Sequence, residues 1–456
     1  MTFLPGNAKL HAKWQCRTKG TPTVIGTYDV EVDITLQKGV HSTLKVILPN
    51  ADASPITVST TVAPWTGDVI DVEMRAPTNL AMTSAIDGSP LAAESTANCY
   101  IVRANGNYQI PLVYGNAIKD GVTNTSAFYN ATASTAFEDS YGTKFTASSS
   151  PYIKDHASAQ FKQIGDAEVL WTHGDAQIRI VKVDSDYLTF SVSSFSPSNA
   201  LIAVKDWNGT ILWSWHLWLT EQDLSPETIT NSDGTNFQIM PVPLGWNGWT
   251  TEMVDGVAQD RSTAPYYQWG RKDPFIPVGT PTSGGNIEYS TTAKTQAQVH
   301  QTPKVYYYYN HGNWCDTFAN YYWDADNATA STDSPVVKTI YDPCPVGWNV
   351  PQTFTVNNGV IGKFNKGQAF KRNSADKTGI FFPAVGNRSN SNGNIASVGT
   401  NGYFWLSVPM SIENNAIHIA LMKGPALPDG STIGLIQQGP NNSSNGYSIW
   451  PSLSQD

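Results

Sequence analysis

Residues 200–218 read ALIAVKDWNGTILWSWHLW, and this stretch decides the fold class. Two apolar runs flank the segment Asp206-Trp207-Asn208-Gly209. An Asn-Gly pair between two apolar runs predicts a β-hairpin, because both central residues of such a turn need positive φ. We expect the second run to be the last strand of a β-sandwich, with its tryptophans packed inside the domain: Trp213, Trp215 and Trp218.

Length and composition favour a β-protein of several domains. The chain has 456 residues, which suggests about three domains. Charged residues make up 14% of the chain and hydrophobic residues 40%. The net charge of −9 argues against nucleic acid as a partner, because phosphate binding needs concentrated Lys and Arg. No apolar run approaches the length of a membrane-spanning helix, so we expect no direct membrane span.

Alternation of residue types predicts strands near the start of the chain. Apolar and polar residues alternate strictly over 28–36, which is typical of a half-buried strand. Further strands are predicted over 42–48 and 56–65. We therefore predict a mainly β protein, with tandem β-sandwiches followed by a loop-rich α+β domain. The predicted divisions are a short and perhaps incomplete first sandwich at 1–75, a linker at 76–95, a second sandwich at 96–220 and the loop-rich domain at 221–456.

Several motifs resemble families of bacterial surface proteins. Residues 98–102 (NCYIV) and the 200–218 stretch resemble a module common in surface proteins of Bacteroidetes. Residues 24–67 resemble the last strands of a fimbrillin-type sandwich. Five later motifs resemble the Fibrobacter succinogenes major paralogous domain, which is similar to C-type lectin-like folds: 266–275 (YYQWGRKDPF), 341–348 (YDPCPVGW), 382–388 (FPAVGNR), 402–407 (GYFWLS) and 446–451 (GYSIWP).

Together these parts resemble a Bacteroidales fimbrillin-family protein, such as a pilus tip subunit or an anchored adhesin. The resemblance implies an extracellular protein at the cell surface, in a fimbrium or attached to the outer membrane, with a C-type lectin-like binding domain over 221–456. No signal peptide opens the chain, so we expect a removed signal or a longer precursor. The chain departs from the family pattern at 243–247 (PLGWN) and at Trp450, where relatives carry Asp-Arg-Asn-Leu-Gly and Arg. Polar contacts of those positions are not carried over.

Clustered aromatic residues are the candidate ligand contacts. Strand alternation would send half of residues 306–309 outward, and an exposed Tyr or Trp suits sugar rings or peptides. The alternative is that these residues fill the core of a loop-rich domain. The candidates are Tyr307, Tyr309, Tyr321, Tyr322, Trp323, Trp246 and Trp249.

Catalytic and cofactor motifs are missing from the sequence. The eight histidines form no HExxH, and GxSxG, P-loop and GxGxxG patterns are absent. His216, between Trp215 and Leu217, is expected to be a packed histidine. The cluster Asp324, Asp326 and Asn327 lacks the Gly and the terminal Glu of an EF-hand, so calcium is the weaker alternative. We predict no catalytic residue, no metal and no cofactor.

The four cysteines include one disulfide candidate. Cys315 and Cys344 lie 29 residues apart in one predicted domain, so a disulfide between them is as plausible as two thiols. Cys16 and Cys99 are expected to be buried thiols. No CxxC pair is present, which argues against a zinc ribbon or a thioredoxin-like site.

Three functional hypotheses follow. The leading hypothesis is an adhesin or fimbrial tip-like subunit that binds a glycan, or a host or microbial surface protein, through residues 221–456. The second is a structural pilus subunit that joins other subunits by strand addition, motivated by the short first sandwich. The third, an enzyme acting on polysaccharides, has no motif in its support.

Overall fold

The computed structural model divides the chain into two compact units, Met1–Ala76 and Pro77–Asp456. Within the described residues there are 32 strands and two short α-helices, so the predicted mainly β class is confirmed. The described residues are 6–17, 24–36, 40–48, 56–64, 77–128, 136–160, 163–230, 236–254, 257–277, 287–309, 312–316, 321–326, 335–352, 359–365, 369–371, 381–409, 415–426 and 432–454.

The first unit contains two antiparallel hairpins, in which β1 pairs with β2 and β3 with β4. The strands are β1 (Gly6–Arg17), β2 (Val24–Leu36), β3 (Val40–Leu48) and β4 (Ile56–Pro64). The three predicted strands are confirmed, and β1 is an addition. The register between β1 and β2 joins residues of like polarity, as in Leu10 opposite Val32 and Lys13 opposite Asp29. Within the described residues each hairpin is a separate two-stranded sheet.

The second unit begins with two four-stranded sheets. Their orders are β10-β13-β14-β6 and β11-β12-β7-β5. The elements of this part are β5 (Thr78–Asn79), β6 (Cys99–Val102), β7 (Gly106–Pro111), β8 (Ile118–Lys119), β9 (Val122–Thr123), α1 (Ile153–Ala159), β10 (Ile164–His173), β11 (Gln177–Val183), β12 (Tyr187–Ser194), β13 (Ser198–Asp206) and β14 (Ile211–Leu219).

Both of these sheets contribute to one hydrophobic core. Alternate residues of β12 are buried, including Leu188 and Phe190, as the two-residue period of a half-buried strand requires. Strands β13 and β14 are buried along almost their whole length, because both lie inside their sheet and are covered on both faces. Ile202 and Trp213 join the same core as Phe190.

The described part of the segment predicted as a linker (76–95), residues 77–95, packs onto the second unit instead. Strand β5 pairs in parallel with β7, and Leu80 and Ala81 are buried in the main core. Ser95 N donates to Ala81 O at 2.9 Å, which ties the end of the segment back onto its start. The stretch rich in Ser, Thr and Pro is therefore part of the second unit, because its few apolar residues find partners that are distant in sequence.

The rest of the second unit is built on a ten-stranded sheet with the path β25-β24-β23-β30-β29-β28-β31-β26-β27 and with β19 paired to β31. Its helix α2 starts with a capping box between Thr295 and Gln298. The elements are β15 (Glu227–Thr230), β16 (Asn236–Ile239), β17 (Trp249–Val254), β18 (Val257–Ser262), β19 (Tyr267–Gln268), β20 (Glu288–Ser290), α2 (Gln296–His300), β21 (Val305–Tyr307), β22 (Trp348–Asn349), β23 (Gly359–Asn365), β24 (Ala369–Lys371), β25 (Phe381–Pro383), β26 (Asn387–Arg388), β27 (Ile395–Ala396), β28 (Asn401–Pro409), β29 (Asn415–Ala426), β30 (Thr432–Asn442), β31 (Gly446–Ile449) and β32 (Ser452–Leu453).

Residues on the two sides of the predicted domain boundary at 220/221 pack against each other. Asn98 Nδ2 donates to Ile340 O at 2.7 Å and to Asp342 O at 2.8 Å. The rings of Trp213 and Tyr341 lie 6.0 Å apart between centroids. Residues on both sides of the predicted boundary therefore share one core, and 77–456 is a single compact unit.

The hairpin between β13 and β14 is confirmed, but its turn differs from the predicted one. Gly209 has a φ of +84°, whereas Asn208 is not among the residues with positive φ. The connection is therefore a longer loop closed by a left-handed glycine. Asp206 Oδ1 accepts hydrogen bonds from the backbone N–H groups of Asn208 and Thr210, both at 2.8 Å. This Asx-type capping leaves Trp207 at the outer end of the hairpin.

Candidate functional site

Three of the predicted ligand-contacting aromatics are buried, so the prediction is wrong for them. Tyr307, Tyr322 and Trp323 belong to the main core. The hydroxyl of Tyr322 accepts from Gln296 Nε2 at 2.9 Å. Trp323 packs against Trp269, with their ring centroids 5.6 Å apart. Aromatic residues in a loop-rich region fill its interior here, because short irregular segments bury little apolar area without large side chains.

None of the other four candidates is shown as an exposed side chain within the described residues. Tyr309 is half-buried, and its backbone pairs with that of Asn313. Tyr321 and Trp246 are also half-buried and pack against the main core. Trp249 opens strand β17, and its side chain lies outside the described part of the molecule.

The disulfide proposed between Cys315 and Cys344 is not formed. Both residues are buried thiols, and Cys99 is a third, as expected. Cys315 Sγ lies 3.4 Å from the hydroxyl of Tyr322 instead. Burial raises the pKa of Cys344 well above its ordinary value, which keeps this thiol protonated and unreactive. Cys16 lies in β1, where side chains are outside the described residues.

In the alternative calcium cluster, the carboxylate of Asp324 is occupied by hydrogen bonds within the protein. Asp324 Oδ1 accepts from the backbone N–H groups of Asp326 and Val337, and Oδ2 accepts from Gln352 Nε2 at 2.7 Å. Asn327 lies outside the described residues. The described residues contain no group of three His, Cys, Asp or Glu side chains that could hold a metal ion.

A buried ion pair lies against the tryptophan strand. Lys272 Nζ donates to Asp273 Oδ1 and to Ser214 Oγ, both at 2.6 Å, and to Ser214 O at 3.0 Å. The ammonium group is also 4.2 Å from the centroid of the Trp213 ring. Burial lowers the pKa of Lys272 to about 8, although Asp273 opposes that shift. This network is enclosed, and its geometry joins strand β14 to the 266–275 motif.

His216 is a packed histidine, as predicted. Its Nε2 is 2.7 Å from Asn199 Oδ1, and its Nδ1 is 3.1 Å from the hydroxyl of Tyr267. Asn199 Nδ2 donates to Gly245 O, so its Oδ1 is an acceptor and the imidazole proton is assigned to Nε2. Burial lowers the pKa of His216 to about 3. The side chain is therefore neutral at physiological pH and serves packing.

The most exposed aromatic residue in the described part of the chain lies on the hairpin itself. Trp207 is 73% exposed, the highest value among the large hydrophobic residues whose exposure the structure describes. Trp213, six positions later, is fully buried. Trp207 borders a shallow depression of about 330 Å³ on the surface. We call this depression the Trp207 depression, and its lining residues are Gly165, Asp166, Lys205, Asp206, Trp207 and Gly209.

One hydrogen bond and one close approach hold the Trp207 ring, and a second hydrogen bond holds its backbone. The indole Nε1 donates to Ile164 O at 2.8 Å, and the backbone N–H of Trp207 donates to Gln163 O at 3.2 Å. A Cβ atom at Gly165 would lie 2.6 Å from Trp207 Cδ1 and 2.8 Å from its Cα. Gly165 is therefore required for this close approach, and the exposed ring is held rather than mobile about χ1.

Charged groups surround the tryptophan. Lys205 Nζ lies 3.0 Å from Glu168 Oε2 and 3.6 Å from Asp166 Oδ2. The hydrogen bond to Glu168 raises the pKa of Lys205, which keeps the ammonium group charged. Asp206 is buried beneath the turn, where its Oδ2 accepts from the hydroxyl of Tyr141 at 3.2 Å. Among the lining residues, Asp166 is the exposed charged group, Lys205 lies beside it largely covered, and Asp206 is buried.

Trp207 is not among the ligand contacts predicted from the sequence, although it lies in the predicted hairpin turn. The available signal was position: a large aromatic in a turn, next to Asn-Gly, stands outside the alternation that buries strand residues. Density of aromatics was the weaker signal, because dense clusters are also what a core contains.

Comparison with known proteins gives no relative. The chain matches no family model, no curated protein and no solved structure. None of the helices in the described part of the chain is long and apolar enough to cross a membrane.

Proposed function

We propose that this chain is a non-catalytic adhesin or fimbrial tip-like subunit of the bacterial cell surface, which binds a glycan or a protein ligand. The ordered motifs that resemble Bacteroidetes surface modules support this proposal. In finer detail we propose tandem β-sandwiches followed by a C-type lectin-like domain. Two four-stranded sheets that share a core support the second sandwich. The long mixed sheet, accompanied by one short helix within the described residues, is compatible with the last domain.

The observation that carries the proposal is the exposed, fixed ring of Trp207. Ligand binding to an exposed Trp ring removes a large apolar area from water. An indole that is already held loses little conformational freedom on binding. The sequence predicts ligand contact at the aromatic clusters 306–309 and 321–323. Since most of them are buried, we now place the proposed contact at the Trp207 depression, in the second sandwich.

A binding screen with paired variants tests this function. The intact chain is immobilised and exposed to a broad set of glycans and of host and microbial surface proteins, alongside Trp207→Ala and Tyr152→Ala. Tyr152 is the matched control, because it is another exposed aromatic (41% exposed) and does not line the Trp207 depression. We expect ligands that bind the parent and Tyr152→Ala chains but not Trp207→Ala.

Two results would count against the proposal. A complete lack of binding by the intact chain would contradict the adhesin function. Turnover of pooled polysaccharides by the purified chain would contradict its non-catalytic character and favour the enzyme hypothesis.

A structural role in a pilus is the second candidate, and the first unit favours it. Each of its two hairpins is a sheet of two strands within the described residues, which leaves outer edges for pairing with another chain. A strand from a neighbouring subunit would add main-chain hydrogen bonds along such an edge. Hydrogen exchange of the 24–36 and 56–64 amides in dilute and concentrated samples tests this. Concentration-dependent protection supports strand addition, and unchanged exchange in a persistent monomer contradicts it.

A further inference from the structure

We propose that the Trp207 depression binds a single neutral hexopyranose unit, which stacks on the Trp207 indole and hydrogen-bonds to Asp166 and Lys205. This inference rests on the proposed function, because it names the ligand class for the same site. It is carried by the orientation of the ring, the size of the depression and the charges at its rim.

The ring is fixed in a way that suits stacking. The pyrrole side of the indole is engaged, with Nε1 bound to Ile164 O and Cδ1 against Gly165. The residue as a whole is nevertheless 73% exposed, so much of the remaining ring surface faces solvent. A pyranose presents a patch of C–H groups on its face, which packs against a flat π-system, while its hydroxyls remain at the edge.

The volume and polarity of the depression favour a small polar ligand. About 330 Å³ is near the lower limit of ligand-binding pockets, and it suits one ring rather than an extended ligand. Apart from Trp207, the lining residues are glycines and charged side chains. A protein-binding hot spot is usually enclosed by further apolar contacts that exclude water. The described lining offers none, so a sugar fits better than a protein.

The rim charges select among sugars. Asp166 has a side chain that is 71% exposed, and its carboxylate accepts hydrogen bonds from hydroxyl groups. Lys205 donates, but it already faces both Asp166 and Glu168. Two carboxylates, of Asp166 and Asp206, and the ammonium group of Lys205 give the lining of the depression a net negative charge. The carboxylate of a uronic or sialic acid would be repelled there, whereas a neutral hexose would not.

The experiment is a ligand-observed saturation-transfer NMR titration of the intact chain with methyl β-glucopyranoside and methyl β-glucuronide. The two probes differ by one carboxylate. We expect saturable transfer to the neutral glycoside and binding of the glucuronide weakened about tenfold, the size of one strong electrostatic discrimination.

Four variants locate the binding. Trp207→Ala is expected to abolish transfer. Gly165→Ala keeps the indole but displaces it, and is expected to weaken binding about tenfold. Asp166→Asn is expected to reduce the difference in affinity between the neutral glycoside and the glucuronide. Tyr152→Ala should leave both titrations unchanged, and circular dichroism of each variant confirms folding.

The outcomes separate this inference from the proposed function. Equal binding of the glucuronide, or undiminished transfer in folded Trp207→Ala, overturns the inference. A protein ligand that requires Trp207, found without any binding of neutral glycosides, also overturns the inference while leaving the adhesin function in place. If the broad screen finds no ligand at all but the glycoside titrates as expected, the sugar site stands and the adhesin role fails.

Discussion

Trp207 and Trp213 lie on the same hairpin, six positions apart, and they have opposite environments. Trp213 is fully buried, donates from Nε1 to Asn98 Oδ1 at 3.1 Å and stands edge-on to Tyr114 at 5.1 Å between ring centroids. Trp207 is largely exposed and uses only its pyrrole side against strand β10. The same residue type thus stabilises the core on the strand and presents a surface at the turn.

The difference teaches that position relative to the turn separates the two roles better than aromatic density. The 306–309 and 321–323 clusters and the 213–218 stretch are all dense in aromatics, and most of their aromatic residues pack into or against a hydrophobic core. Trp207 is a single aromatic beside Asn-Gly, where the strand period has ended. Its exposure follows from its place in the turn, beyond the last paired residues of β13 and β14.

The largest expected effect is the loss of stability in Trp213→Ala. Truncation removes a buried indole, its hydrogen bond to Asn98 and its contact with the Lys272 ammonium, so we expect a loss of about 3–5 kcal/mol in the free energy of unfolding. Denaturant melts of this variant and of Trp207→Ala measure the contrast. Equal losses for the two variants would break the comparison.

Acidification should destabilise the core through His216. Its folded-state pKa of about 3 lies below the ordinary value of 6.5, so the unfolded chain binds the proton first as the pH falls. The contribution of neutral His216 to the free energy of unfolding is fully present above pH 6.5. It is lost progressively towards pH 3, by up to about 4 kcal/mol. His216→Gln, which keeps a donor and an acceptor but does not titrate, should show a shallower decline between pH 6.5 and 3 in denaturant melts.

Part of that decline belongs to other residues. Burial also lowers the pKa of His418 to about 4, so the slope of the variant will not vanish. Identical pH profiles for the parent and His216→Gln chains would show that His216 is already accessible to protons in the folded protein.

A small effect is expected for Trp207→Ala. The substitution removes one hydrogen bond at the surface and no core contact, so the free energy of unfolding should fall by about 1 kcal/mol or less. Tyr152→Ala serves as the matched exposed control, and thermal melts under one buffer condition compare the two. A loss for Trp207→Ala as large as that of Trp213→Ala would mean that the hairpin end is part of the core.

The smallest effect is expected for reduction. Since Cys315 and Cys344 are buried thiols that are not joined to each other, a reducing agent should not shift the melting temperature through that pair. Peptide mapping after alkylation of the unfolded, unreduced chain is the measurement, and it should find both residues alkylated. A peptide pair linked through Cys315 and Cys344 would contradict the structure.

Much of the hairpin could be predicted from the sequence because its signals are local. Asn208-Gly209 between apolar runs indicated the turn, and the burial of Trp213 and His216 followed from the continuous apolar strand. Strand β2 was predicted from its strict alternation. Strand β1 carries the same alternation over residues 8–14 and could have been predicted in the same way.

Other features depend on partners that are distant in sequence. The burial of Tyr322 is decided by residues such as Gln296 and Trp269, and no local period reports them. Leu80 is buried although its segment shows no strand alternation in sequence, because β5 pairs with β7. The Trp207 depression requires Gly165, which lies 42 positions earlier, so its geometry could not be foreseen from the hairpin alone.

The most direct test of the central contrast is solvent exposure of the individual tryptophans. The chain is labelled with 5-fluorotryptophan, the Trp207 and Trp213 resonances are assigned by Trp207→Phe and Trp213→Phe, and relaxation by a soluble paramagnetic probe is measured for each. We predict strong relaxation enhancement for Trp207 and little for Trp213. Similar enhancement of the two resonances would contradict the account.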